Sequence, residues 1–463
     1  MDRGAETRRR FLQTLGIGAG AAIAGRLPLE ARESETRRPR VAAIFTVLRF
    51  RSHAFNILEN FLGPYYFNGE LTDPGVDVVA MYADQFPSDD MARAVSSRFK
   101  IPLFGSIADA LRVGGRDLAV DAVLSIGEHG DYPYNERGQH LYPRKRFFDE
   151  SFAVMRESGR FVPFFNDKHW SYRFDWAREM FDTAREHGMP IHAGSSVPLA
   201  QRRPPLELPP ECEIDEAVSI HGGGLESYDF HGLEVLQSMV ETRRGGESGI
   251  AEIQLLTGDE FEAARHEGRW SQELVDAAMQ AEVTMQARRQ PRPTRGVFSS
   301  SAAVRKNDSK QKPPRPSGDY AICVTYLDGL KATVLKVGSD ADRWNFACRL
   351  KGENRPRATA FFNSPWGNRG LFKALSHAIQ HLFVTGREPY PAERTLLTTG
   401  AVEAVMHSFE QGGKTVETPH LKFGYQAAGS RRFREFGKTW SVLTEQVPQS
   451  AWFEPRDWNE LAR

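Results

Sequence analysis

The sequence predicts an α/β protein: an N-terminal Rossmann-like, doubly wound parallel sheet, then a C-terminal α/β domain with a mostly antiparallel, open-faced sheet. Three observations carry this expectation. Residues 40–62 read strand, turn, helix. Val41-Ala-Ala-Ile-Phe45 is an apolar run of the kind buried on both faces, and Phe55, Leu58, Phe61 and Leu62 recur at helical spacing behind Ser52, a fitting N-cap. Strands and helices then alternate as far as Ala193, which calls for right-handed crossovers into one parallel sheet. Beyond Glu213 the pattern changes to alternating strands and a hairpin around Leu327-Asp-Gly-Leu330.

The chain of 463 residues has room for two domains and extra segments. Lys plus Arg and Asp plus Glu balance at 60 each, so no net field calls for nucleic acid or an anionic membrane. The cysteines, Cys212, Cys323 and Cys348, are far apart and lack C-x-x-C spacing, which argues against zinc and for buried thiols. At the N-terminus, Thr7-Arg-Arg-Arg-Phe-Leu-Gln13 matches the twin-arginine export signature except for Gln13. An apolar stretch to Ala24 follows, too short to span a membrane. The expectation is a signal peptide over 1–24, a linker over 25–39 and export to the periplasm through the twin-arginine machinery.

The first domain is expected over 40–205. Its second strand runs Val76–Tyr82 and ends at Asp84, where an acidic residue would meet a ribose hydroxyl. A helix is predicted over Ser88–Phe99 with Asp89 and Asp90 in its first turn, a strand over Ile101–Phe104, and a helix over Ile107–Leu111. Val120–Ile126 reads as a buried strand, Arg144–Ser158 as a helix and Phe161–Phe165 as a strand leading into Asn166-Asp-Lys-His169. A helix over Phe174–His187, stopped by Gly188, and a strand over Pro190–Ala193 complete this half. The proline-rich run 202–210 reads as a connection to a second domain over 206–412. There, strands are predicted over Glu213–Ile220, Ile250–Leu256, Tyr320–Tyr326, Lys331–Val337, Trp344–Leu350 and Arg357–Phe362. Helices are predicted over Phe230–Thr242, Trp270–Ala287, Leu371–Phe383 and Arg394–Phe409. Residues 288–317, basic and proline-rich, read as a mobile loop, and 413–463 as a C-terminal extension.

The layout suits a dinucleotide, but the first turn reads T-V-L-R-F-R-S where G-x-G-x-x-G would let backbone approach a pyrophosphate. Thr46, Arg49, Arg51 and Ser52 are the candidates for replacing it, the two guanidinium groups as a phosphate clamp. Glu128, His129 and Asp131 share the turn after the next inner strand and can serve as ligands or as acid/base groups. His377 and His381, four apart on a helix, lack an identifiable third ligand, so no metal is expected.

Four stretches resemble the glucose–fructose oxidoreductase, inositol dehydrogenase and rhizopine-catabolism family (Gfo/Idh/MocA). They are Val76–Asp84 with Phe99-Lys-Ile-Pro-Leu-Phe-Gly-Ser106, Val120–Ile126, Asn166-Asp-Lys-His169 in the place of the E-K-P signature, and Gly222–Glu234. The closing helices, with Gly386-Arg-Glu-Pro-Tyr-Pro391, resemble the family too. The resemblance implies NAD or NADP in the first domain and a carbohydrate or polyol against the second, with homo-oligomers formed through the open sheet. It also implies that Lys168 polarises the reacting oxygen, that His231 is the general acid/base, and that Asp167 replaces the signature glutamate. Departures from the pattern are the missing glycines, His169 in place of the signature proline, and Ser227 in place of an aspartate. The expectation is an exported NAD(P)-dependent oxidoreductase. The alternatives are a carbohydrate-binding or scaffold protein without the cofactor, and an NAD-independent lyase or hydrolase built on Glu128, His129 or Asp131 with Lys168.

Overall fold

A computed structural model of the chain describes residues 37–287, 315–450 and 452. The expected signal peptide, most of the linker, the loop segment 288–314 and the end of the C-terminal extension lie outside the described residues. So does the twin-arginine signature on which the expectation of export rests.

The first sheet opens with β1 (Arg40–Phe45), of which all but Arg40 is buried. Ser52 then caps α1 (His53–Leu58), its Oγ accepting from Phe55 N at 3.2 Å. An unforeseen hairpin, β2 (Tyr65–Phe67) and β3 (Glu70–Thr72), fills the connection to β4 (Asp77–Ala83). There follow α2 (Ala92–Phe99), β5 (Leu103–Phe104), α3 (Ile107–Arg112), β6 (Ala122–Ile126) and α4 (Arg144–Glu157). Then come β7 (Phe164–Asp167), α5 (Phe174–Glu186) and β8 (Ile191–Gly194). The order is β5-β4-β1-β6-β7-β8, every pair parallel, so the chain reverses direction across the sheet between β1 and β6. Helix α2 begins four residues later than expected. The Asp90 carboxylate accepts from Ala92 N at 2.8 Å and from Leu48 N at 3.0 Å, tying the turn after β1 to the start of α2.

The second sheet takes β9 (Gln201–Arg203), β10 (Ile214–His221), α6 (Ser227–Val240), β11 (Ile250–Thr257), α7 (Gly258–His266) and α8 (Gln272–Ala287). It continues with β12 (Tyr320–Tyr326), β13 (Lys331–Lys336), β14 (Trp344–Leu350) and β15 (Arg357–Phe362). Two helices, α9 (Asn368–Thr385) and α10 (Glu393–Glu410), precede the edge strand β16 (Val416–Glu417). Its order is β16-β11-β12-β13-β10-β14-β15-β9, antiparallel except for β10 beside β13. Because β9 pairs with β15, the sheet already recruits residues 201–203, ahead of the boundary expected at 205. Its outer face is not open. Trp270, Leu274 and Ala278 pack on Val218, Ile220, Leu335 and Ala347, and Ala281 and Met285 pack with Ala360 and Phe362. The chain's own α7 and α8 thus cover the face through which two copies were expected to pair.

The C-terminal extension fastens back to the β2–β3 hairpin, where Asn68 N donates to Glu435 and Gly69 N to Thr439 Oγ1, both at 3.1 Å. All three cysteines are free. No helix among the described residues is long and apolar enough to cross a membrane.

Candidate functional site

In a sheet of this order the crevice at the carboxyl ends of the strands, where the order reverses, is the natural binding place. Here the turn after β1, the turn after β6 and the end of β7 meet. Thr46 Oγ1 donates to the Glu128 carbonyl at 2.6 Å and clamps the first two together. The Glu128 carboxylate accepts from Lys168 Nζ at 2.8 Å and from Arg144 at 2.5 Å, all three side chains being nearly or fully buried. Gly127 makes room for this, since a Cβ there would meet Arg144 Cγ at 2.7 Å. Burial alone would raise the Glu128 carboxyl, but Lys168 and Arg144 outweigh it and hold it well below the usual carboxylate range. It is a fixed anion that orients the lysine. Lys168 itself has φ 66°, a left-handed conformation disfavoured for a side-chain-bearing residue, and its N–H donates to Gly194 O at 3.2 Å. Such local strain at a cleft is a mark of function.

His231 lies on the first turns of α6, its ring edge-on to Trp344 with centroids 5.5 Å apart. Its Nδ1 is 2.7 Å from Ser195 Oγ, just beyond β8. Burial first, then the nearby Lys168 ammonium, holds this imidazole well below its ordinary range, so it is neutral in use. Asp167 does not reach into the cleft alone: its Oδ2 is 2.7 Å from Nδ1 of His53, the first residue of α1. The His53 and His129 rings meet edge-on at 5.2 Å. His129 is pushed down to about 3 by burial and then by His53. Its buried Nε2 meets no hydrogen-bond partner among the described residues. Lys168, His231, Asp167, Glu128 and His129, five of the residues singled out in the sequence, thus converge.

The positions expected to hold a dinucleotide are occupied differently. Asp84 accepts from Tyr132 at 2.5 Å and from Tyr82 and Arg146 at 2.6 Å. Burial raises its carboxyl, but these three partners together bring it below its ordinary value. Arg51 turns away to the start of α9, where it bonds the Trp366 carbonyl and Asn368. The Leu48 amide is taken by Asp90, and Ser52 Oγ serves the first turn of α1. Val47 and Leu48 are fully buried. This turn does not fit a pyrophosphate held by main-chain amides, because the Leu48 and Arg49 amides are already taken and a carboxylate stands beside them. Arg49, 3.9 Å from Asp89, is the cation of the turn that lies near His129.

The segment before α6 carries a second perturbed carboxyl. Glu226, at φ 71°, caps the helix and accepts from His140 N at 3.1 Å, while Asp229 Oδ2 closes the capping box on Glu226 N at 2.7 Å. Asp229 also accepts from Tyr320, so this aspartate is structural. Burial pushes Glu226 from 4.5 up to about 7, against the lowering effect of its bond from His140. A group whose folded value is raised lends stability below its unfolded value and loses it as pH rises through the folded one. Glu226→Gln is therefore expected to gain on the parent between pH 5 and pH 8, by about 2–4 °C in thermal midpoint. A midpoint difference that stays constant across that range would show Glu226 to be ionised throughout.

His53, Arg144 and Ser195 were not foreseen. His53 directly follows the N-cap of the first turn, so its place was legible; its partner, 114 residues on, was not. Among the described residues no group of three or more His, Cys, Asp or Glu side chains could hold a metal ion. His377 stacks on Phe67 and bonds Tyr65, while His381 contacts Thr385 and Arg432.

No protein-family model matches the sequence, and no curated protein matches it. Among solved structures the chain is similar to GenD2 from gentamicin A biosynthesis in complex with NAD. The TM-score is 0.50 at 11% identity, covering 85% of this chain and 99% of that one. It is also similar to scyllo-inositol dehydrogenase from Lactobacillus casei with bound NAD(H) and scyllo-inositol (TM-score 0.48, 10% identity, 82% of this chain and 99% of that one). A myo-inositol dehydrogenase from Corynebacterium glutamicum aligns with TM-score 0.48 at 10% identity over 82% and 98%. At these identities the likeness is one of fold.

Proposed function

We propose that the crevice is the active site of an enzyme acting on a carbohydrate or polyol, in which Lys168 polarises the reacting oxygen and His231 exchanges a proton with it. One observation carries the reading: an ammonium, held in a strained backbone conformation and aimed by the buried Glu128 carboxylate, shares a cleft with a neutral histidine. The fixed positive charge stabilises negative charge developing on a substrate oxygen, and it does so without reorganising when the reaction occurs. The imidazole completes the pair, since a neutral ring can give or take a proton at Nε2 while Ser195 holds Nδ1.

The closed turn after β1 favours chemistry of this pair without a dinucleotide, as in a lyase or isomerase. Hydride transfer to NAD or NADP is the second reading, and the observation that favours it is the fold shared with GenD2, which holds NAD. The two separate on one experiment. Natively purified protein is denatured and assayed for released nicotinamide dinucleotide, and NAD and NADP are titrated into the protein. The expected result is no stoichiometric release and no micromolar affinity. Stoichiometric release, or binding lost in Arg49→Ala, would establish the dinucleotide reading and give Arg49 the phosphate.

A further inference from the structure

We infer that His53, held by Asp167, is the base of this cleft, and that the proton it takes lies on the carbon beside a substrate carbonyl: the site enolises a keto-polyol or keto-sugar. The inference rests on the reading of Lys168 and His231 above and adds the reaction type.

The two histidines are wired in opposite senses. Asp167, 1% exposed, is an acceptor, so His53 turns its Nδ1–H to it, and the neutral ring keeps its lone pair on Nε2. Ser195 Oγ accepts from Val197 N at 3.1 Å, so its own hydroxyl proton is available for Nδ1 of His231, which then presents N–H at Nε2. With these partners one ring can act as a base and the other as a donor, while the Lys168 ammonium acts electrostatically on His231. The His53 side chain is also 14% exposed, against 6% for Lys168 and 7% for Glu128. It projects from the first turn of α1, packed by Asp167 of β7, His129 of the turn after β6 and Phe372 of α9, whose ring centroid is 4.7 Å away.

In the step, His53 Nε2 takes the proton from the carbon. The C–H electron pair forms the new C=C bond, and the carbonyl π pair moves onto oxygen. There it meets the Lys168 ammonium and the Nε2–H of His231. Return of the proton from His53 to carbon regenerates the ketone, with no oxidant or reductant required. In deuterium oxide the imidazolium exchanges with solvent and carbon acquires deuterium.

The test uses the full chain in deuterium oxide without added nucleotide, with scyllo-inosose and dihydroxyacetone as probes and proton NMR of the carbon next to the carbonyl as the readout. Exchange is expected well above the solvent blank on at least one probe, falling by about 10²-fold or more in His53→Gln. Asp167→Asn, a positioning change, is expected to lower exchange at least about tenfold and to move the His53 ring proton from Nδ1 to Nε2 in nitrogen-15 NMR. A loss of folding alone would not produce that signature. Wild-type protein with no exchange on either probe, or with its His53 proton already on Nε2, would overturn the inference without recourse to any variant. Exchange that survives His53→Gln but vanishes in Lys168→Ala would overturn it and leave the proposed function standing. Exchange that survives Lys168→Ala would remove the proposed function itself.

Discussion

Replacing Lys168 by alanine is expected to lower turnover by roughly 10²–10⁴ while the protein stays folded. The ammonium is the charge available to a developing oxyanion at the carboxyl end of β7. Its direction is set by Glu128 at 2.8 Å rather than by the substrate. Because Arg144 still holds the other carboxylate oxygen at 2.5 Å, the buried anion keeps a partner when the lysine is gone, and the fold survives. Lys168→Gly makes a useful companion. At φ 66° glycine is at ease where alanine is strained, so the glycine variant should be the more stable of the two by about 1 kcal/mol in urea unfolding, yet equally inactive. Turnover unchanged in both would take the lysine out of the mechanism.

Glu128→Ala is expected to have the larger effect on stability, about 3–5 kcal/mol in denaturant unfolding. Removing one partner of a buried ion group leaves the others charged and desolvated. Lys168 and Arg144, 6% and 0% exposed at their side chains, would face each other across the gap, with His169 3.1 Å from Arg144. Adding Lys168→Met to the Glu128 variant removes one of the stranded cations. The double variant should therefore recover part of the loss, a coupling that independent sites would not show. The sign with pH follows from the lowered carboxyl. Its contribution is complete above the unfolded value and disappears only as pH falls through the folded one, well below the usual range. The gap between parent and Glu128→Ala should thus be flat from pH 5 to pH 7 and narrow only in stronger acid.

Legibility in the sequence tracked the range of the interaction involved. The strand over 41–45, the Ser52 cap, the hairpin after β12 and the placement of Lys168 at a strand end and His231 on a helix start were all readable. Each rests on periodicity, capping or turn chemistry within a few residues. Helix α2 starts later than its local pattern implies because Asp90, a good first-turn residue, is spent on Leu48, 42 residues back. The helix over 272–287 was also readable. That it lies across the sheet expected to be open was not, because apolar content says that a face is covered and not by what.

Local pattern sets the two-sheet architecture and puts a lysine and a histidine at the two element ends that border the crevice. Which charges meet there depends on contacts between distant parts of the chain. Asp84 is spent on Tyr82, Tyr132 and Arg146, Arg51 is drawn to a loop more than 300 residues away, Glu128 is shared by Lys168 and Arg144, and Asp167 is given to His53. The physical reason is the same throughout. Burial patterns are written along one element and follow its own period. Ion pairs between strand ends depend on which crossovers bring those ends together, and no local period records that.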